Sequence, residues 1–417
     1  MSRPPTAHRV AYLAAEYPAV SHTFILREVE ALRRLGLDVR TCSVRTTGAA
    51  HHKGTAEKQA GQDTFYILEA ARKPVALLAA QGAALRAPGR YFAALRQALS
   101  MRAPGLRALL YQIIYFVEAT VLAAHLRRIE ATHLHNHFAN ASATVAMLAA
   151  RIADIPFSYT LHGPSDLMDP ARWRLDLKTE AAQFVACISF FARSQAMLAS
   201  DPAHWDKLRI IHCGLEPARY APAPSTSDHT DLVFVGRLAA VKGVRILLGA
   251  LRAALPDHPA LRLTLVGDGP DRAALEAEAQ DLGEAVQFLG YQTQEAVADI
   301  LARADMMVLP SFAEGVPVVL MEAMASQVPV IATQVAGVSE LVEHGTSGLI
   351  VPPGDQVALT QAILSLAQDP ARRAQMGKAG RAKVESAFDI DGEAQRLAAL
   401  FEGRAPEGPR PDMTDNT

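Results

Sequence analysis

Short apolar runs alternate along this chain with stretches of helical period. RVAYLAAEYP is a strand-like run ending in a turn, and from Ser21 the spacing lengthens so that Ile25, Val29, Leu32 and Leu35 share one helical face before Gly36. DVRTCSV is the next run, followed further on by THLHNHF, PFSYTLHG, FVACIS and LRIIHCG. After a polar, proline-bearing stretch at 221–230 the alternation restarts with DLVFVGRL, LRLTLVGDG, AVQFLG, ADMMVLPS, PVIATQV and GLIVPPG. Strands that each lead into a helix predict parallel sheets covered by helices. Two α/β domains follow, over 1–222 and 229–385, then a helix over 386–403 expected to pack back on the N-terminal domain, and a disordered tail over 404–417. Ligands of such sheets sit beyond the carboxyl ends of the strands, so two facing sheets would form a cleft.

One segment breaks the alternation. Between Tyr66 and Arg128 there are nine basic residues and two acidic ones, Glu69 and Glu118, a net +7, with leucines, alanines and aromatics between them. A basic helical insertion of this kind fits an anionic membrane surface, and a helical insertion with merely solvated arginines accounts for it equally well. Over the whole chain 41 basic and 43 acidic residues leave a net charge of −2, which gives no reason to expect nucleic acid as a partner. The three cysteines, Cys42, Cys187 and Cys213, have no metal-ligand spacing and suit a reducing cytoplasm. The apolar run near the N-terminus is too short for a secretory leader, and no window reaches about 18 uninterrupted apolar residues, so a spanning helix is not expected.

Candidate chemistry gathers at strand exits of the C-terminal half. In FVGRLAAVKG a strand runs into Gly236 and Arg237, and Lys242 follows at the start of a helix, which suits a diphosphate. LVGDGPD places Gly267, Asp268 and Gly269 at a second exit, but a dinucleotide fingerprint would need glycine where Arg272 stands. SFAEGVPVVLMEAMA carries Glu314 in a loop and Glu322 inside a helix that Pro317 is predicted to open. A carboxylate among valines and methionines is costly unless it is paired or solvated, so each needs a partner. His133, His135 and His137 alternate along one strand, a weak metal pattern with no carboxylate or cysteine close in sequence. No metal is expected there, and His137 is placed at the rim of an acceptor cleft. Asp389-Ile390-Asp391 is read as a helix-capping region rather than a metal-binding pair.

GRL-x3-KG, VGDGP, the two glutamates eight apart and AGVSELVEHGTSGLIVPPGD together resemble the retaining nucleotide-sugar glycosyltransferases of family 4. EYPAVSHTFILREVEAL, HNHFA and YTLHG are similar to the exopolysaccharide or colanic-acid branch, and the resemblance runs from Arg9 to Glu402. It implies a GT-B fold, two facing Rossmann-like domains with the donor in the cleft, and no cofactor or metal. By the same resemblance Arg237 and Lys242 hold the donor diphosphate and neutralise the leaving group, and Glu322 binds the ribose. Glu314 contacts the transferred sugar with amides near Gly315 and Val316, His162 meets that sugar from the N-terminal domain, and Gly267 and Gly269 lie near the nucleotide. The partners implied are a nucleoside diphosphate sugar, uridine being the commonest base, and a glycan or polyprenyl-diphosphate-linked saccharide, in a cytoplasmic enzyme peripheral to the inner membrane face. The loop EYPAVSHTF departs from the pattern, lacking the glycines of many relatives, with His22 where a glutamate is usual. Ser21 is expected to cap the next helix and offer its amides. Two other classes remain open, a nucleotide-sugar 2-epimerase of the same architecture and a non-catalytic membrane-associated scaffold.

Overall fold

The structure, a computed structural model, describes residues 8–19, 22–48, 54–223 and 228–404 of the chain. Ser21, part of the 221–230 stretch and the tail from 405 onward lie outside the described residues. The chain forms two compact units: Met1–Ile188, Ala192–His212 and Ile390–Thr417 make unit 1, and Ser189–Phe191 with Cys213–Asp389 make unit 2.

Unit 1 holds seven strands: β1 Arg9–Glu16, β2 Asp38–Arg45, β3 Phe65–Tyr66, β4 His133–His137, β5 Phe157–Leu161, β6 Phe184–Cys187 and β7 Leu208–Ile210. They pair in parallel in the order β3-β2-β1-β4-β5-β6-β7. Central strands of such a sheet are covered on both faces and are normally continuous apolar runs. β1 obeys this, with Val10 to Ala14 all buried. β4 reads His-Leu-His-Asn-His and is buried at all five positions. It is tolerated because the neighbouring strand supplies hydroxyls: Ser158 Oγ lies 2.6 Å from His133 Nε2 and 2.7 Å from His135 Nδ1, and Thr160 Oγ1 lies 2.9 Å from His135 Nε2. Burial pushes His133 down to about 3 and holds His135 well below the ordinary imidazole range, so both are neutral.

Helix Thr23–Arg34 buries Ile25, Leu26, Val29 and Leu32. Leu35, predicted to share that face, is 39% exposed because the helix stops at Arg34. His22, rather than Ser21, occupies its N-cap position. Between β3 and β4 lie four helices, Ile67–Ala71, Pro74–Leu85, Pro88–Ser100 and Leu106–Arg128. The last helix, Ile390–Phe401, packs Ile390, Ala394, Leu397 and Phe401 into the unit 1 core with Tyr12, Val29 and Leu32. Its Glu393 accepts a hydrogen bond from the amide of His212 at 2.8 Å.

Unit 2 has six parallel strands, β8 Thr230–Val235, β9 Leu261–Val266, β10 Val286–Gly290, β11 Met306–Leu309, β12 Val330–Thr333 and β13 Gly348–Val351, in the order β10-β9-β8-β11-β12-β13. The divisions between units fall at 212/213 and 389/390, not near 222 and 386. The reason is local: the Leu215 amide bonds to the Phe388 carbonyl at 3.0 Å, and Arg381 donates to the carbonyl of Tyr220 at 2.6 Å, which ties 213–220 to helix Pro370–Ala387. Asp389 pairs with Leu215, while Asp391 stands in the first turn of the following helix.

Candidate functional site

At the carboxyl edge of the unit 2 sheet, the exits of β8, β9 and β11 are fastened to one another through backbone. The amide of Gly236 donates to Val266 O at 2.9 Å, that of Leu238 to Asp268 O at 2.9 Å, and that of Asp271 to Leu238 O at 3.0 Å. Gly267 has φ +136°, and a Cβ there would overlap the carbonyl of Gly236; at Gly269 it would overlap that of Leu238. Both glycines are therefore demanded by loop-on-loop packing, whatever else lies near them. Gly243, at φ +66°, lets the turn Ala240–Lys242 approach the Pro310 carbonyl, and Phe312 N donates to Val241 O at 2.8 Å. Lys242 thus sits in a short 3-10 turn just ahead of helix Val244–Ala254, and Arg237 in the preceding loop is exposed.

These loops bring Lys242 and Glu314 together. Lys242 Nζ lies 2.6 Å from Glu314 Oε1, and Ser311 Oγ donates to the same oxygen at 2.6 Å. Ser311 is held in turn by Thr333, whose hydroxyl donates to its carbonyl. Glu314 is 9% exposed, so the ammonium and the hydroxyl meet the cost of burying its charge. Glu322 has a different partner, Tyr220, whose hydroxyl donates to Oε1 at 3.0 Å. Helix Val318–Ala325 begins one residue later than predicted: Pro317 has ψ 116°, extended rather than helical, and its carbonyl accepts from Leu320 N at 3.1 Å, which makes it the cap. Gly315 O accepts from Gly337 N at 3.1 Å, and Val316 is 5% exposed. Tyr220 escaped the sequence reading because it precedes the proline-bearing stretch and was assigned there to the other domain.

In unit 1, His137 ends β4 and His162 stands in the loop after β5. His162 Nε2 lies 2.8 Å from His137 Nδ1, and His137 Nε2 lies 3.3 Å from Glu28 Oε1, which also accepts from the Tyr12 hydroxyl at 2.8 Å. His137 has no exposed surface and lies beneath His162, so its expected place at a rim is corrected. His162, 8% exposed, packs on Phe24 and Phe138 with ring centroids 4.7 and 4.5 Å away. Burial, with His137 and His22 nearby, holds it well below the ordinary imidazole range. His22, for which the sequence offered no role, packs on Phe138 at 4.9 Å.

Two further residues fix these loops, and both were missed. Asp166 accepts from Ala139 N at 3.0 Å and His162 N at 3.2 Å, while Lys178 Nζ donates to Ala139 O at 2.7 Å and Asn140 O at 2.9 Å. Both side chains are wholly buried. Burial lifts the Asp166 carboxyl to about 6 and lowers the Lys178 ammonium to about 7. The available signal was an aspartate four residues after His162 and a lone lysine in the helix LDLKTEA.

Glu28, His135 and His137 place one ligand atom each within 4.8 Å of one another, the one such group among the described residues. The sequence reading discounted a metal here for want of a carboxylate, and the helix Thr23–Arg34 brings one. Both His135 nitrogens meet hydroxyls and Glu28 meets Tyr12, while His137 Nε2 makes no hydrogen bond and lies 3.3 Å from Glu28 Oε1. The arrangement is that of a buried hydrogen-bond network.

Residues 229–369 match the family described as glycosyl transferases group 1. The chain is 33% identical over 207 residues to the amylovoran biosynthesis glycosyltransferase AmsK of Erwinia amylovora, covering 47% of this chain and 51% of that protein. It is also 33% identical over 208 residues to the putative colanic acid biosynthesis glycosyltransferase WcaL of Escherichia coli (strain K12), again 47% and 51%. The chain thus matches about half the length of these curated relatives. Among solved structures, Anabaena HepE in complex with UDP aligns with TM-score 0.70 at 19% identity over 95% of this chain and 100% of that one. That likeness is one of fold, and the fold of two parallel-sheet α/β domains is GT-B.

Proposed function

From a chain whose residues 229–369 match the glycosyl transferases group 1 domain family, we propose a retaining, metal-independent hexosyltransferase that uses a nucleoside diphosphate sugar, with uridine as the base, in polysaccharide biosynthesis. The observation that carries this reading is the Lys242–Glu314–Ser311 cluster at the strand exits of that domain. A diphosphate beside Lys242 and Arg237 meets two cations, and Glu314 can accept from a sugar hydroxyl. Glu322 and Tyr220 offer an acceptor and a donor suited to ribose hydroxyls.

In this scheme the bond from the anomeric carbon to the diphosphate oxygen breaks as an acceptor hydroxyl oxygen bonds to that carbon from the same face. The hydroxyl proton passes to the departing phosphate oxygen, and the released negative charge is met by Arg237 and Lys242. No enzymic nucleophile is required, and rate comes from placement and electrostatics. Support for uridine is that HepE is described with UDP, and support for a polysaccharide role is the naming of AmsK and WcaL. The acceptor assigned is a glycan or a polyprenyl-diphosphate-linked saccharide, met by a cytoplasmic enzyme peripheral to the inner membrane face.

The test is incubation with a panel of nucleoside diphosphate sugars and saccharide acceptors, with and without chelator, followed by NMR of the anomeric centre. Transfer with retained configuration in chelator is the expected result. Inverted product or loss of activity in chelator would overturn the mechanism, and epimerised donor in the absence of acceptor would establish the epimerase instead.

A further inference from the structure

Helix Pro74–Leu85 is packed the reverse of a normal surface helix. Its alanines Ala80 and Ala84 face the core at 4% and 1% exposure, while Val75 and Leu78 stand 81% and 72% exposed. Residues 75, 78, 82 and 85 fall on one stripe of that helix, and all four are apolar or glycine. The neighbouring helix Leu106–Arg128 repeats the pattern at Leu106, Leu110 and Ile113, exposed by 86%, 58% and 41%, and helix Pro88–Ser100 adds Phe92 at 58%. The three helices are bound to one another: Gln81 donates to Thr120 at 2.7 Å and accepts from Tyr91 at 3.1 Å, and Arg127 donates to Ala83 O at 3.0 Å. The exposed aliphatics therefore belong to one folded layer of unit 1. Single exposed leucines are ordinary, but a clustered apolar face marks an interaction surface.

Charge identifies what covers it. Between residues 70 and 117 the chain carries seven arginines and lysines and not one aspartate or glutamate. All seven are exposed, Arg72, Lys73, Arg102 and Arg107 among them flanking the helix starts that carry Val75 and Leu106. Arg107 also lies over the Tyr111 ring at 5.6 Å, a pairing of cation and aromatic suited to a headgroup layer. Arg90 pairs with Asp154 at 2.8 Å, and the other six remain as excess positive charge, so a second copy of this chain would set like charge against like, which disfavours self-association through this face. Helix Leu106–Arg128, at 23 residues, is long and apolar enough by length and composition to cross a bilayer. Yet Phe116, Ala119, Leu122 and Leu126 are buried within unit 1, so only its first half is available.

We propose that this face, the outer stripe of Pro74–Leu85 with the first half of Leu106–Arg128, binds the surface of an anionic phospholipid bilayer. Val75, Leu78, Leu106 and Leu110 enter the boundary between headgroups and acyl chains, and the arginines meet lipid phosphates. The inference holds whether or not the chain transfers a sugar.

The test is sedimentation of the full chain with phosphatidylglycerol-containing vesicles and with pure phosphatidylcholine vesicles, at low and high salt. Binding to the anionic vesicles should exceed that to the neutral ones about tenfold or more and weaken with salt. Replacing Val75, Leu78, Leu106 and Leu110 together by serine should lower anionic binding by about tenfold or more, since each buried methylene contributes, without altering UDP affinity or melting temperature. R102Q/R107Q, which alters two exposed arginines and no buried residue, should weaken binding and flatten its salt dependence. Failure of the unaltered protein to sediment with anionic vesicles, or equal binding to both vesicle types, overturns the proposal. So does a lipid-free dimer that the four serines abolish. UDP binding read in the same samples keeps these outcomes separate from any failure of the sugar-transfer reading.

Discussion

Each unit contains a lysine and a carboxylate that belong together, and the two pairs are built in opposite ways. In unit 1, Lys178 and Asp166 have no exposed surface, and both bond to backbone, Lys178 in the loop after β4 and Asp166 in the loops after β4 and β5. In unit 2, Lys242 and Glu314 bond to each other at 2.6 Å, with side chains 23% and 10% exposed. A charge tied to backbone cannot change partners without loosening a loop, so the first pair can only hold a shape. A charge tied to another mobile side chain can exchange that partner for a ligand. The second pair is therefore suited to chemistry, and the first to keeping His162 in place.

The sharpest way to break this comparison is to remove each lysine in turn. Lys178→Met leaves Asp166 buried without its counter-charge and two carbonyls without a donor, which should destabilise unit 1 by ~3–5 kcal/mol in urea unfolding. Lys242→Met, at a partly solvated site where Ser311 still donates to Glu314, should cost less, ~1–2 kcal/mol. Equal losses would mean that the unit 2 pair is structural too. In turnover the order should reverse: Lys242→Ala and Glu314→Gln should each lower kcat ~10²–10³-fold with little change in melting temperature, as expected for groups that meet charge developing in the transition state. Variants that turn over like the unaltered protein would remove the cluster from the site.

Glu322 tests the contrast within one loop and helix. Its partner is the Tyr220 hydroxyl rather than a cation, so Glu322→Gln should weaken donor binding ~10-fold, about the worth of one charge-assisted hydrogen bond, while kcat stays near normal. Isothermal titration with UDP against steady-state kinetics separates the two. A fall in kcat at unchanged affinity would give Glu322 the role assigned to Glu314.

The same contrast shows what could be read from the sequence. Among the described residues, alternating runs marked twelve of the thirteen strands and missed Phe65–Tyr66, two residues too short to show a period. Lys242 and Glu314 stood out because each lies at a strand exit beside glycine or proline, where local signals are strong. Lys178, Asp166 and Tyr220 did not, because the partners that explain their burial are 39, 27 and 102 residues away and the local spacing, Asp166 four residues after His162 included, does not reveal them. Glu28 was invisible for the same reason: on the helical pattern it is one more polar residue, and only the packing of Thr23–Arg34 against β1 and β4 sets it beside His137 and Tyr12. Polar groups buried by tertiary contact are thus the ones that periodicity hides, since a histidine strand looks exposed until the hydroxyls opposite it are known.

The smallest expected effect concerns the sign of a pH dependence. Burial raises Asp166 to about 6, against the amides of His162 and Ala139 and the charge of Lys178, which pull it down. An unfolded aspartate titrates near about 3.9, so the folded chain binds the proton more tightly. Stability then rises as pH falls from about 6 to about 4 and levels off below, where both states are protonated. Lys178, lowered to about 7, is protonated throughout that window and does not contribute to the slope. Asp166→Asn removes the titration while keeping the shape, so other carboxyl groups cancel in the difference between the two proteins. Urea unfolding from pH 7 to 4 should therefore show the unaltered protein gaining stability relative to Asp166→Asn. The opposite trend would mean that Lys178 and the two amides outweigh burial, and that the loops after β4 and β5 are held by an ionised Asp166 whose loss of charge would release His162.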